Sequence, residues 1–374
     1  MQDNDFFEKN EPQAEEIPLG GTAENEIGEE TAPQPAEPIP PQPQIKYVSY
    51  IPYGFTPKTY EEKKGIRKAA NTMSVALLAL IGISLLWGTV FMYLMMSLGF
   101  SYESINKIIE DPAVLQVMQI FLSSFMFTVP FIACYKFANY RISDLVSFKK
   151  PKKGIALPLF LMGLGFCSFA NVAISYAGYI FESFGINYDV DYGDNPEGFF
   201  GFMLTFISTA IVPALVEEFA CRGLMLGSLK KYGEGFSILA SSILFGIMHG
   251  NFEQMPFAFL VGLILGFVAV KSGSLQIAIL IHSANNFVSV FFDYFMNDLT
   301  RQSQNIIYTF YLCISMLLGI LGACMLKTKD SDCFSFAPAD TESNEKQKNK
   351  FYFTTPLIII YIVISFLKSL IYLK

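Results

Sequence analysis

Hydrophobic residues in this chain gather into long continuous runs separated by short polar stretches. Nine runs stand out, at 72–98, 113–137, 154–181, 200–225, 236–250, 255–270, 275–295, 306–326 and 355–372. Most approach or exceed the roughly 20 residues that a helix needs to cross the hydrocarbon core of a bilayer. The pattern therefore predicts an all-α polytopic membrane protein, a bundle of eight or nine transmembrane helices. A transmembrane barrel would instead show short segments of alternating polarity. The final run contains Lys368 and reads as a span in preference to an interfacial helix.

The polar connections alternate in charge. Lys63, Lys64, Arg67 and Lys68 precede the first run, and Glu103, Glu110 and Asp111 follow it against a single Lys107. Arg141, Lys149, Lys150, Lys152 and Lys153 come next, then Asp189, Asp191, Asp194 and Glu197, then Arg222, Lys230 and Lys231. Loops rich in Lys and Arg stay on the cytoplasmic side, so a cytoplasmic N-terminus is expected. The cluster at 149–153 anchors this topology and is also suited to anionic headgroups.

Composition sharpens the class. Hydrophobic residues make up 52% of the chain and charged residues 16%, where a soluble domain carries about 25% charged residues. The net charge of -7 says little about partners, because the acids crowd into residues 1–46. That Glu-, Pro- and Gln-rich tail cannot bury enough apolar surface to offset its chain entropy and should be disordered. It lacks the basic start and apolar core of a secretory signal. The remaining organisation reads as a cytoplasmic juxtamembrane segment at 47–71, N-terminal membrane helices at 72–153, and a membrane core at 154–326. A cytoplasmic linker at 327–354 and a last apolar helix at 355–374 complete it. The six cysteines form no C-x-x-C pair, so no redox chemistry is indicated. The bilayer is the expected partner, in a bacterial cell membrane, and no nucleic acid is.

Candidate chemistry is concentrated in three of the runs. Both of the chain's histidines lie in apolar stretches, His249 in FGIMHGN and His282 in AILIHSANN, and a third stretch carries Glu217 and Glu218. Ionisable groups are costly inside a membrane and, where they persist, tend to line functional cavities. Glu218 and Arg222 are four apart with the acid first, the favourable order for an intrahelical pair. Glu217 lies about 100° further round the helix and is left available as a general base. Gly233 marks a turn between the fourth and fifth runs, and Glu217 and His249 each lie 16 residues from it. Antiparallel helices would bring carboxylate and imidazole to one depth, about 24 Å from the turn. His282 and Asn286 share a face at four-residue spacing and supply N–H donors suited to an oxyanion. Together these groups suit attack of water on an acyl carbon.

The ordered trio E-E-x-x-x-R (Glu217, Glu218, Arg222), F-x-x-x-H (Phe245, His249) and H-x-x-x-N (His282, Asn286) resembles the CPBP intramembrane proteases. That family includes the type II CAAX prenyl endopeptidases and Abi-like relatives linked to bacteriocin processing and immunity. The resemblance covers roughly 154–326. It implies an intramembrane endopeptidase acting on a membrane-associated, prenylated or peptide substrate that enters from the membrane. It further implies that Glu217 and His249 activate the water, that His282 and Asn286 stabilise the oxyanion, and that Arg222 supports the glutamate pair. The family has been described as metalloprotease, and zinc would draw on Glu217, His249 and His282. A metal-free, glutamate-dependent route fits the residue types too, since no H-E-x-x-H pair exists and Asn is a poor zinc ligand. Two other classes stay open: a non-proteolytic immunity or scaffold protein retaining the fold, and a proton-coupled transporter.

Overall fold

The structure, a computed structural model, describes residues 51–151, 153–185 and 194–372. The tail at 1–46 therefore lies outside the described residues, as do Lys152, Asp189 and Asp191. The described part, from Ile51 onward, forms one compact unit, and no strand occurs among the described residues.

The first helix, α1 (Pro57–Ser97), starts at an N-cap Thr56 whose hydroxyl accepts from the Thr59 N–H, with Pro57 fixing the first turn. A short α2 (Tyr102–Ile109) leads to α3 (Pro112–Phe137), capped by Asp111. After the one-turn α4 (Ile142–Leu145) comes α5 (Ala156–Ser183). The next helical rod, α6, runs unbroken over Gly198–Tyr232. Gly233, at φ 133°, ends it and turns the chain into α7 (Glu234–Met248). The rest comprises α8 (Gln254–Ser272), α9 (Leu275–Phe295), α10 (Arg301–Lys329), α11 (Glu345–Phe353) and α12 (Pro356–Ser369).

Seven of these helices, α1, α3, α5, α6, α8, α9 and α10, are long and apolar enough to cross a bilayer; α11 and α12, bent by 69° at their junction, count as an eighth if the pair is one broken span. The chain is an integral membrane protein. One expectation needs correction. The run at 236–250 folds as α7, whose 15 residues rise about 22 Å, short of the ~30 Å hydrocarbon core. Helices α7 and α8 form a narrow hairpin. A Cβ on Gly246 would sit 2.8 Å from the Met255 carbonyl, and one on Gly262 would sit 3.0 Å from Ser242. The stretch read as a linker, 327–354, also contains a helix. Within α11, Phe351 and Tyr352 are buried, and the Tyr352 hydroxyl donates to the Met73 sulfur at 2.7 Å.

Two apolar cores meet in the bundle. One joins α1, α3, the C-terminal half of α6, α7, Ala258 of α8, α11 and α12; the other joins α5, the rest of α8, α9 and α10. In the second, α5 and α10 approach through glycines, so that a Cβ on Gly165 would lie 2.5 Å from the Gly319 Cα. Ser168 donates to Ser315 at 2.9 Å across the same contact. Small residues let membrane helices pack this closely where no hydrophobic drive separates protein from lipid. One end of the bundle gathers basic loops, tied together by Lys329 to the Gly154 carbonyl and Ser147 to the Gly273 carbonyl. The other end gathers Asp111, Asp194, Glu197, Asp293 and Asp298 around a pocket.

Candidate active site

The site lies where the two cores meet. A cavity of about 380 Å³ is lined by Phe245 and Ala258 from the first core and Val261 from the second. Its polar wall is Thr209, Glu217, His249, Gln254, His282, Asn285, Asn286 and Ser289. The four residues expected to carry chemistry, Glu217, His249, His282 and Asn286, therefore share one cavity. Glu217 and His249 reach it from either side of the Gly233 turn.

Helix α6 does not present its glutamates from a uniform α-helix. It is π-helical over Phe206–Ile211 and again over Phe219–Met225, leaving one α-helical stretch, Val212–Glu218, between. The first π segment ends just before Pro213, whose ring removes an N–H and clashes with the preceding turn. Such segments mark functional sites in many helices. The Thr209 carbonyl, four residues before Pro213, accepts from Asn286 Nδ2 at 3.1 Å. Asn285 Nδ2 in turn donates to Asn286 Oδ1 at 3.3 Å. The Asn286 amide is thus held at both ends, with one N–H left over.

Glu218 is fully buried behind the cavity wall. Its Oε1 accepts from Arg222 Nη1 at 2.7 Å and faces His282 Nδ1 at 2.9 Å. The sequence reading assigned Glu218 to Arg222 alone; it also holds the second imidazole, from a helix 64 residues away. Glu218 Oε2 has no protein partner. Arg222 is itself buried, donates to the Gly262 carbonyl at 3.3 Å and stacks 4.1 Å above the Phe245 ring. That ring stands edge-on to both imidazoles, 5.1 Å from His249 and 6.0 Å from His282. Phe245 is therefore the apolar hub of the polar cluster.

The hydrogen-bond partners of the two imidazoles suit them to different roles. His249 Nδ1 lies 2.9 Å from the Phe245 carbonyl, which can only accept, so Nδ1 carries the proton. Nε2 of the neutral ring is then an acceptor. His282 meets a carboxylate through Nδ1; to donate from Nε2 as well it must carry both ring protons. Sequence reasoning missed Thr209, Gln254 and Ser289 as lining residues. Ser289 was detectable, because His282, Asn285, Asn286 and Ser289 follow the i, i+3, i+4, i+7 spacing of one helix face.

Comparison with known families converges on the same stretch. Residues 199–288 match the family model described as type II CAAX prenyl endopeptidase Rce1-like. The match begins near the start of α6 and ends just past Asn286, so the Rce1-like segment contains all three polar motifs and nearly all of the cavity wall. No curated protein and no solved structure matches the chain.

The zinc set, Glu217, His249 and His282, can be tested on the donor geometry of this segment. Among the described residues no three His, Cys, Asp or Glu side chains converge as a metal site requires. The residues as arranged do not fit the ion.

Proposed function

We propose that the chain is an intramembrane endopeptidase of the CAAX type that hydrolyses a peptide bond with a glutamate-activated water. The observation that carries this reading is the convergence of Glu217, His249, His282 and Asn286 on one cavity inside a membrane bundle. The Rce1-like match over the same residues supports it. The cavity volume falls within the range of small ligand sites, about 300–1,000 Å³, enough for a short stretch of unwound peptide.

In this mechanism a water sits between Glu217 and His249 Nε2, both acceptors. As the water oxygen bonds to the scissile carbonyl carbon, one of its protons passes to Glu217. The carbonyl π pair moves onto oxygen, and the resulting oxyanion accepts from the free N–H of Asn286 and from His282 Nε2–H. Donors aimed at that developing charge in a water-poor site supply much of the rate. Collapse breaks the C–N bond, and the proton held by Glu217 moves to the leaving nitrogen. One water is consumed, its second proton stays on the new carboxyl group, and a carboxylic acid and an amine leave. Glu218 and Arg222 stay behind the wall and orient His282. The substrate is a membrane-associated peptide, prenylated or not, and the basic end of the bundle faces the cytoplasm.

The test is cleavage of a membrane-peptide library by the purified full chain in lipid nanodiscs, wild type beside Glu217→Gln, with and without a strong zinc chelator. Cleavage lost in the variant and retained in chelator is the expected result. Full activity in Glu217→Gln would end the mechanism, and loss in chelator would move it to a metal.

A further inference from the structure

A second cavity, far from the catalytic one, lies where α1 enters the membrane. It measures about 690 Å³ and is lined by Tyr60, Lys63, Lys64, Arg67, Lys68 and Asn71 along one face of α1, closed by Ala138 after α3. These positions follow the three- and four-residue spacing of a single helical stripe. The opposite face of the same turns, Ile66, Ala69, Ala70 and Met73, is fully buried in the first core.

Among the described residues, four cations share this cavity without compensation. None of Lys63, Lys64, Arg67 and Lys68 has an ion-pair partner among the described residues. Glu62 points to the other side of the helix, where it accepts the N–H groups of Glu342 and Ser343, both at 2.9 Å. Glu61 is exposed and lies off the cavity wall. Two of the ammonium groups rest on rings, Lys63 at 4.3 Å from Phe55 and Lys68 at 4.9 Å from Tyr140. The Nε–H of Arg67 is removed from solvent and has no acceptor. Buried donors are nearly always satisfied, and an arginine fork matches a phosphate geometrically. The arrangement calls for an anionic oxygen.

The helix face immediately below says which anion. Continuing the stripe by turns from Asn71, Val75 and Leu86 are exposed, at 45% and 61%, and a Cβ on Gly82 would meet nothing within 4 Å. A phosphate-binding cluster thus opens onto an open apolar strip within the candidate span. A free phosphate would use only the upper half; a glycerophospholipid uses both.

We infer that this face of α1 is a binding site for one anionic glycerophospholipid, its phosphate at Lys64 and Arg67 and an acyl chain along Val75, Gly82 and Leu86. It is separate from the basic cluster at 149–153 and independent of the proteolytic reading.

Native mass spectrometry of the full chain in detergent, titrated with dioleoyl phosphatidylglycerol or dioleoyl phosphatidylcholine, tests the site. Wild type should retain phosphatidylglycerol preferentially. Lys64→Gln/Arg67→Gln should bind it about twenty-five-fold more weakly, at roughly fivefold per cation near an anionic surface, with phosphatidylcholine unchanged. Lys107→Gln/Arg301→Gln removes the same charge at exposed positions outside both basic clusters and should retain wild-type binding. Because Lys64 is exposed and Arg67 is only partly buried with no protein partner for its Nε–H, unaltered thermal melting is expected of both variants. Equal binding by wild type and Lys64→Gln/Arg67→Gln would overturn the inference, as would an equal loss in Lys107→Gln/Arg301→Gln. Displacement of the lipid by millimolar glycerol 3-phosphate would overturn the lipid assignment in favour of a free phosphate.

Discussion

Asn286 on α9 donates to the Thr209 carbonyl on α6, the carbonyl four residues before Pro213. A helix-interior proline cannot donate to the carbonyl four residues before it, and here that carbonyl holds the amide offered to the oxyanion. The proline that interrupts α6 thereby positions a residue on another helix.

Pro213→Ala returns an N–H that competes for the Thr209 carbonyl and releases Asn286. The expected result is a fall in kcat of about tenfold with KM little changed. Asn286→Ala, which removes the donor itself, should cost about 10²–10³ in kcat. A double-mutant cycle checks the link: adding Pro213→Ala to Asn286→Ala should cost nothing further, because the proline acts through the asparagine.

Adjacent glutamates should separate into different phenotypes. Glu217 is half-buried in the cavity wall, so Glu217→Gln should abolish cleavage and leave thermal stability within a degree or two. Glu218 is the buried counter-charge of Arg222, and Glu218→Gln strands that cation. Breaking a buried pair from one side costs about 3–5 kcal/mol. Thermal unfolding in detergent, run beside cleavage, distinguishes the two. Equal melting of the variants would refute the assignment of Glu218 as the structural partner.

Much of this site was legible because helix spacing encodes which residues share a face. Glu218 with Arg222, Phe245 with His249, and His282 with Asn286 are all four-residue pairs, and counting 16 residues either way from Gly233 put Glu217 and His249 in one cavity. Contacts between distant helices leave no such mark. The bond from Glu218 to His282 joins positions 64 apart, and nothing in either helix's spacing selects it over Glu217. The π segments of α6 leave no mark in its hydropathy, and only the first adjoins a proline, Pro213. The run at 236–250 looked like a span because its hydropathy matches one; its true length is set by Gly233 and by the hairpin apex at Gly250.

Phe245 should matter beyond its volume. Arg222 stacks on its face and both imidazoles meet its edge, contacts that a leucine cannot make. Phe245→Leu keeps an apolar side chain but loses a cation–π contact worth up to about 2 kcal/mol when desolvated. The variant should melt lower by about 1–3 kcal/mol and cleave at least tenfold more slowly. Phe245→Tyr retains the ring and should recover part of both losses, which deletion of mere bulk would not predict.

The last prediction concerns the frame that carries the site's second wall. Helix α5 lies against α10 with Gly165 facing Gly319, and an added Cβ on Gly165 would fall 2.5 Å from the Gly319 Cα and 2.8 Å from the Ser315 carbonyl. Both obstacles are backbone, so no rotamer change relieves them, and overpacking of this kind costs about 1–3 kcal/mol or more. Gly165→Val should therefore push the helices apart and break the bond between Ser168 and Ser315. Helix α5 also packs on α9 in the second core, where a Cβ on Gly163 would lie 2.4 Å from the Ile281 side chain. Ile281 is the neighbour of His282, so displacement of α5 reaches the cavity through it. Gly165→Val should lower thermal stability and cleavage together, while Gly178→Val on the same helix, where a Cβ meets nothing, should change neither. A melting curve and a cleavage rate for each variant decide it, and an active, fully stable Gly165→Val would show that α5 and α10 do not pack as described.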